Sequence, residues 1–191
     1  IPYEEMPALL PRAFVAAEDS RVWEHTGLDG WSIARAAVNN LLAGRRSQGG
    51  STITQQITRG LLLTPEKSYL RKLAEAILAH RIERMLSKEE ILYLYLNEIY
   101  LGEGAYGVEA AARTYFNKHA RDLDLGEIAL LAGLPQSPSN YSPLRNPEAA
   151  RARQRYVLNR MAEDNIVTAE AARAAWDQGL RVTANWRRAV H

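Results

Sequence analysis

The stretch that decides the fold is "KEEILYLYLNEIYL", residues 88–101. Beyond its charged start it places Ile91, Leu92, Leu94, Leu96, Ile99 and Leu101, with Tyr93, Tyr95 and Tyr100, on every side of a helical wheel. A helix that is apolar nearly all round belongs in a core, so this one is expected to be central and buried. It opens on a start signal, Ser87 with Glu90 at capping-box spacing. The same grammar recurs along the chain. Thr64 and Pro65 open a helix over roughly 65–86, and Asp124 with Glu127 opens 125–133. Asn146 and Pro147 open roughly 147–163, and Thr168 starts a last Ala-rich helix. No segment alternates with period two for long enough to make a strand. The expected fold class is all-α.

Between these helices, "GEGAYG" (102–107) spells G-x-G-x-x-G. A dinucleotide site needs a strand before that motif; a buried helix precedes it here, so the glycines read as a tight helix–loop–helix turn. "AGRRSQGG" (43–50) reads as a mobile basic loop and "PQSPSNYSPLRNP" (135–147) as a loop ordered against the surface. The final "RVTANWRRAVH" (181–191) reads as a tail or the start of a connector. The 191 residues suffice for one domain with a sizeable core.

Net charge is only +2, but it is unevenly spread. Residues 31–75 carry Arg35, Arg45, Arg46, Arg59, Lys67, Arg71 and Lys72 against Glu66 and Glu75. Such a region suits an anionic or phosphate-bearing partner, although a solvated helix face gives the same count. Cysteine is absent, which excludes disulfides, thiol nucleophiles and thiolate metal sites. The four histidines have no metal-ligand spacing. No run approaches the ~18 apolar residues of a membrane span, and there is no signal peptide. The chain opens on Ile1 rather than Met, as a piece of a longer protein would, with any anchor lying outside it. It lacks S-x-x-K together with K-T-G, so no transpeptidase is expected within it.

Three stretches carry candidate chemistry. In "AFVAAEDSRVWEHTG" (13–27), Phe14, Glu18, Val22 and His25 fall at steps of four, four and three, one face of a helix. A carboxylate in an apolar row is either a rim residue paired with Arg12 or Arg21, or a general base with a raised pKa. His25 reads as a core or capping histidine. In "GGSTITQQ" (49–56), Thr52 and Gln55 make a capping box. Ser51, Thr54 and Gln56 add more hydrogen-bonding groups than a cap needs, which suits a phosphate- or sugar-bearing ligand at a helix N-terminus. In "LRKLAEAIL" (70–78), Arg71 and Glu75 lie one turn apart on a face that continues through Leu78 and Ile82. Arg71 and Lys72 together suit a diphosphate, the first as a fork and the second as a point charge.

Taken together these stretches resemble the peptidoglycan glycosyltransferases, glycosyltransferase family 51, which polymerise glycan in class A penicillin-binding proteins and monofunctional transglycosylases. Five family motifs run in order: "EDSRVWEHTG" (18–27), "GGSTITQQ" (49–56), "RKLAE" (71–75), "KEEILYLYLN" (88–97) and "RQRYVLNRM" (153–161). The resemblance implies a lysozyme-like all-α fold, with a larger globular lobe and a small membrane-facing jaw lobe. The jaw would fall at about 31–50, in a single glycosyltransferase domain over 1–191. There Trp31, Ala34, Val38, Leu41 and Leu42 share one face, with Arg35, Arg45 and Arg46 as cations, the pattern of an interfacial helix.

The resemblance also implies the chemistry. The substrates would be lipid II and the growing glycan chain, joined with inversion at the anomeric carbon and release of undecaprenyl diphosphate. Glu18 and Glu75 carry over as catalytic carboxylates, Glu18 as general base. Asp19, His25, Ser51, Thr52, Gln55, Gln56, Arg59, Arg71, Lys72, Asn97 and Arg153 carry over as substrate-binding. A divalent metal, Mg or Mn, would bridge the phosphates, with no organic cofactor and no nucleic acid. Expected partners are the membrane surface through the jaw and a transpeptidase domain in the parent chain. The expected location is the outer face of the bacterial cytoplasmic membrane. There are two departures from the family: Val22 stands where an aromatic is usual, and Arg59–Gly60 where Lys–Asn is usual. A lysozyme-like hydrolase of finished glycan and a non-catalytic lipid II-binding module remain the alternatives.

Overall fold

The structure is a computed structural model and describes residues 1–31, 34, 35, 39, 51–61 and 69–183. Among the described residues its α-helices include α1 (Leu9–Glu18), α2 (Ile53–Leu61), α3 (Tyr69–Met85), α4 (Lys88–Glu98), α5 (Gly107–Phe116), α6 (Leu125–Gly133), α7 (Pro147–Glu163) and α8 (Ala169–Asp177). Among the described residues there is no strand, only a single antiparallel bridge between Tyr100 and Tyr106. The all-α class holds.

The chain divides into two compact units, one from Ile1–Ser20 with Leu96–His191 and the other from Arg21–Tyr95. The second is inserted in the sequence of the first. The 31–50 segment read as a jaw falls in the inserted unit. Most of it, including Val38, Leu41, Leu42, Arg45, Arg46 and the 43–50 loop, lies outside the described residues, and so do Thr64, Pro65, Lys67 and 184–191. Trp31, Ala34 and Arg35 are described and exposed.

In the first unit the most buried helix is α6. Every residue from Gly126 to Gly133 is buried, and α1, α7 and α8 all pack on it. Gly126, Ala129, Ala132 and Gly133 let those neighbours approach closely. This corrects the expectation for 88–101. Ile91, Leu92, Tyr95 and Leu96 of α4 are indeed buried, but Tyr93 and Leu94 stay more than a third exposed. The helix also stops at Glu98 rather than at Leu101. Gly107 explains the stop: its N–H takes the Ile99 carbonyl at 2.8 Å, folding the chain back through the Tyr100–Tyr106 bridge. Gly107 has φ +78°, and a Cβ there would lie 2.3 Å from the Asn97 carbonyl oxygen. No side chain fits, so the turn expected from "GEGAYG" needs glycine at this position.

The second correction concerns 13–27. The helix ends at Glu18 and residues 20–27 run in turns and bends. Asp19 caps it with φ −155°, its N–H still bonded to the Val15 carbonyl. Asp and Ser compete with helical hydrogen bonding, so Asp19–Ser20 breaks a periodicity that side chains alone would continue. Val22 and His25 therefore do not extend the Phe14–Glu18 face.

Most caps form as expected. Ser87 with Glu90 and Asp124 with Glu127 close reciprocal capping boxes. Thr168 accepts from Ala171 N–H. Asn146 is the exception, for it precedes Pro147 but makes no side-chain cap bond.

The 135–147 loop is ordered, and Glu103 clamps it. Arg145 donates to Glu103 through Nε (2.7 Å) and Nη2 (3.2 Å), and Ser142 Oγ donates at 2.8 Å. The Arg145 hydrogen bond holds the Glu103 carboxyl below the ordinary carboxylate range, with burial opposing and Ser142 assisting. A depressed folded-state value adds stability above the unfolded value of about 4.3 and loses it as pH falls through the folded one. Thermal melts should therefore show wild type losing Tm more steeply than Glu103→Gln below about pH 4.3. Parallel acid limbs would deny the clamp this role.

Candidate active site

In the first unit, the carboxylate of interest ends α1. Glu18 is nine-tenths buried at its side chain, and Arg153 of α7, equally buried, lies 3.3 Å from its Oε1. Arg153 is itself fixed: Nε donates to the Gly133 carbonyl at 3.1 Å, and the guanidinium sits 4.5 Å from the Tyr156 ring centre and 5.7 Å from that of Tyr141. The pair joins the end of α1 to α7. The sequence supplied only local partners for Glu18, Arg12 and Arg21; Arg153 is 135 residues away.

Asp19, next in the chain, is buried. Asn97 ties α4 to the start of the chain, its Nδ2 donating to the Ile1 carbonyl at 3.2 Å while its Oδ1 accepts from the Ile1 nitrogen at 2.8 Å.

In the inserted unit, Glu75 is fully buried and ringed by cations. Lys72 Nζ donates to its Oε2 at 2.9 Å. Arg71 Nε and Arg59 Nε stand 3.4 Å and 3.6 Å from Oε1, which accepts no hydrogen bond among the described residues. Ser51 Oγ bridges the rim, accepting from Lys72 at 3.1 Å and from Arg59 at 3.3 Å. Three cations thus share one buried carboxylate, and about half of Arg59 and of Lys72 remains exposed to solvent. The cluster keeps two net positive charges with donors facing outward, a receptor for a polyanion.

The remaining polar residues of "GGSTITQQ" point inward. Thr52 and Gln55 bond reciprocally as a capping box, and Thr52 Oγ1 donates to the Gly27 carbonyl. Thr54 bonds Glu83, and Gln56 accepts from the Tyr95 hydroxyl at 3.1 Å. Ser51 Oγ, by contrast, contacts the cations of the cluster. His25 Nδ1 accepts from Gly27 N–H at 3.2 Å, closing its own turn as a capping histidine does.

The face of α3 also differs from expectation. Glu75, Ala79 and the Glu83 side chain turn inward, at steps of four. Leu78 and Ile82 are only half-buried, while Leu70, Leu73 and Ile77 are exposed. Sequence reasoning missed Glu83 and Lys88; two steps of four from Glu75 were the available signal for Glu83.

The surroundings of Glu75 do not make a protein metal site. A divalent ion wants several oxygen ligands, whereas one carboxylate here faces three cations. No group of three or more His, Cys, Asp or Glu residues that could hold a metal occurs among the described residues.

The chain belongs to the transglycosylase family, whose model matches residues 1–162. Penicillin-binding protein 1A of Neisseria flavescens is 48% identical over 187 residues, 98% of this chain and 23% of that protein. Penicillin-binding protein 1A of Aquifex aeolicus is 50% identical over 179 residues, 94% of this chain and 25% of that protein. The chain therefore spans about a quarter of these relatives. The crystal structure of penicillin-binding protein 1A from Haemophilus influenzae matches with a TM-score of 0.50 at 42% identity, over 51% of this chain and 15% of that one.

Proposed function

We propose that this chain is a peptidoglycan glycosyltransferase that polymerises lipid II into glycan strands, inverting the anomeric carbon and releasing undecaprenyl diphosphate. The observation that carries the proposal is the Arg59–Arg71–Lys72 cluster around buried Glu75. A hydrolase of finished glycan has no anionic leaving group for such a cluster to hold. Glu18, held in place by its pairing with Arg153, takes the proton from the acceptor's 4-hydroxyl as that oxygen attacks the donor's anomeric carbon. The cations receive the charge that develops on the departing diphosphate.

The lipid-linked substrate also sets the location. The outer stripe of α3 exposes Leu70, Leu73, Ile77 and Met85 beside Arg81 and Arg84, and Trp23 and Trp31 are exposed in the same unit. Apolar and aromatic side chains interleaved with cations suit the surface of an anionic bilayer. No helix among the described residues is long and apolar enough to cross one. The chain would work at the outer face of the cytoplasmic membrane, with a transpeptidase domain elsewhere in its parent, as the relatives' name and length suggest.

Incubation with labelled lipid II, with and without moenomycin, tests this. Polymer that moenomycin suppresses is the expected result. Unchanged lipid II, or muropeptides released from sacculi without polymer, would refute it.

One variant probes the Glu18–Arg153 pair indirectly. A Cβ on Gly133 would lie 2.7 Å from Arg153 Cγ. Gly133→Ala should displace Arg153 and lower kcat by about fivefold, with Tm changed by only a few degrees. Unaltered kcat would mean that Arg153's placement is unimportant.

A further inference from the structure

The inserted unit holds a second buried carboxylate that this chemistry does not use. Glu83 is 3% exposed at its side chain, pairs with Lys88 Nζ at 2.5 Å and accepts from Thr54 Oγ1. Lys88 also donates to the His25 carbonyl at 2.7 Å. We propose that Glu83 and Lys88 are positioning residues, a buried ion pair that fixes α2 on α3 and so sets the spacing of the Ser51–Arg59–Arg71–Lys72 cluster. The inference rests on reading that cluster as a diphosphate grip.

Thr54 and Thr58 lie one turn apart on α2, and neither is exposed. Thr54 holds Glu83; Thr58 Oγ1 donates to the carbonyl of Glu75, at 3.3 Å, as well as to that of Gln55. Glu75 and Glu83 are eight residues apart on α3, so α2 is fastened at two levels, one of them the backbone of the cluster's own carboxylate. Ser51 precedes α2 and Arg59 lies in its last turn. Slippage of α2 along α3 would move both against Lys72 and Glu75. The pair reaches a third element too. Lys88 binds the turn at His25, while Thr52 holds the Gly27 carbonyl. Gly27 packs so tightly on Ala79 that a Cβ would approach its carbonyl to 2.9 Å.

An ion pair is a costly way to fill a core and is not needed for stability alone. What it adds here is register: Glu83 satisfies a helix-borne hydroxyl and a cation that itself holds a loop. Glu83→Gln keeps the shape and the Thr54 bond but leaves Lys88 without its counter-charge.

The test uses the whole chain and two readings, lipid II kinetics and calorimetric binding of inorganic pyrophosphate. Glu83→Gln should raise KM for lipid II and Kd for pyrophosphate by about fivefold each. Lys88→Arg, which keeps both charges of the pair, should leave both within about twofold of wild type. A residue that only stabilised the fold would lower Tm and leave KM and Kd unmoved in the folded protein; that result for Glu83→Gln overturns the proposal. If Glu83→Gln does not fold, Thr54→Val takes its place, with about twofold shifts expected in the same two readings and unchanged values overturning it. Pyrophosphate binding needs no turnover. A wild-type chain that binds pyrophosphate but makes no polymer would sink the functional reading and leave this inference to the Kd comparison.

Discussion

Glu18→Gln is expected to lower lipid II polymerisation by about 10³-fold, within the range for loss of a general base, while lipid II affinity stays within about twofold of wild type. The substitution keeps the size of the side chain and its ability to accept a bond from Arg153 Nη2. What it removes is the lone-pair basicity of a carboxylate and its negative charge. Because Arg153 is also held by the Gly133 carbonyl and flanked by the Tyr156 ring, it should stay near its place, so the loss will report chemistry rather than collapse. Tm should fall by only a few degrees, since Arg153 loses its counter-charge but keeps two other partners. The measurement is a continuous polymerisation assay beside a binding isotherm. Wild-type turnover by the variant would remove Glu18 from the role of base.

Glu75→Gln is expected to lower kcat by about 10²-fold, with KM for lipid II changed by less than about threefold. Glu75 is the shared counter-ion of Arg59, Arg71 and Lys72. Without it the three cations repel one another and lose the arrangement that matches a developing diphosphate charge. Ground-state attraction does not fall in step, because the cluster's net charge rises from two to three. Inorganic pyrophosphate should therefore inhibit the variant at least as strongly as wild type while turnover collapses. A preorganised array acts on the transition state more than on bound substrate, and this split in the kinetics is its signature. A variant with unaltered kcat would show that Glu75 does not organise the cations.

Much of the fold was legible because helix boundaries are written in short-range chemistry. Ser87 with Glu90, Asp124 with Glu127, and Thr168 each declare a start within four residues, and each cap forms. The grouping of Arg71, Lys72 and Glu75 was legible for the same reason, being a matter of helical spacing. Arg59 joined them only through the resemblance, since it comes from another helix. Illegible were the decisions made by distant partners. The periodicity from Phe14 to His25 looked continuous, yet Asp19–Ser20 ended the helix. Which face of α3 turns inward could not be read from a wheel that has apolar residues on one side and carboxylates on another. Buried hydroxyls of α2 and the Lys88 ammonium settled it in favour of Glu75 and Glu83. Of the polar residues in "GGSTITQQ", the wheel had no means of separating the inward-facing Thr52, Thr54 and Gln55 from Ser51 at the cationic rim.

The order of elements has a consequence in time. α1 packs on α6 and α7, more than a hundred residues later in the chain. A growing polypeptide emerges from its N-terminus, so α1 must wait, its apolar face uncovered, until α6 and α7 exist. The Arg21–Tyr95 segment has no such delay, for its α2–α3 packing is nearly contiguous. Local closures cost less entropy than distant ones. The guest should thus be assembled before its host, and the binding cluster on Glu75 would exist before Glu18 meets Arg153.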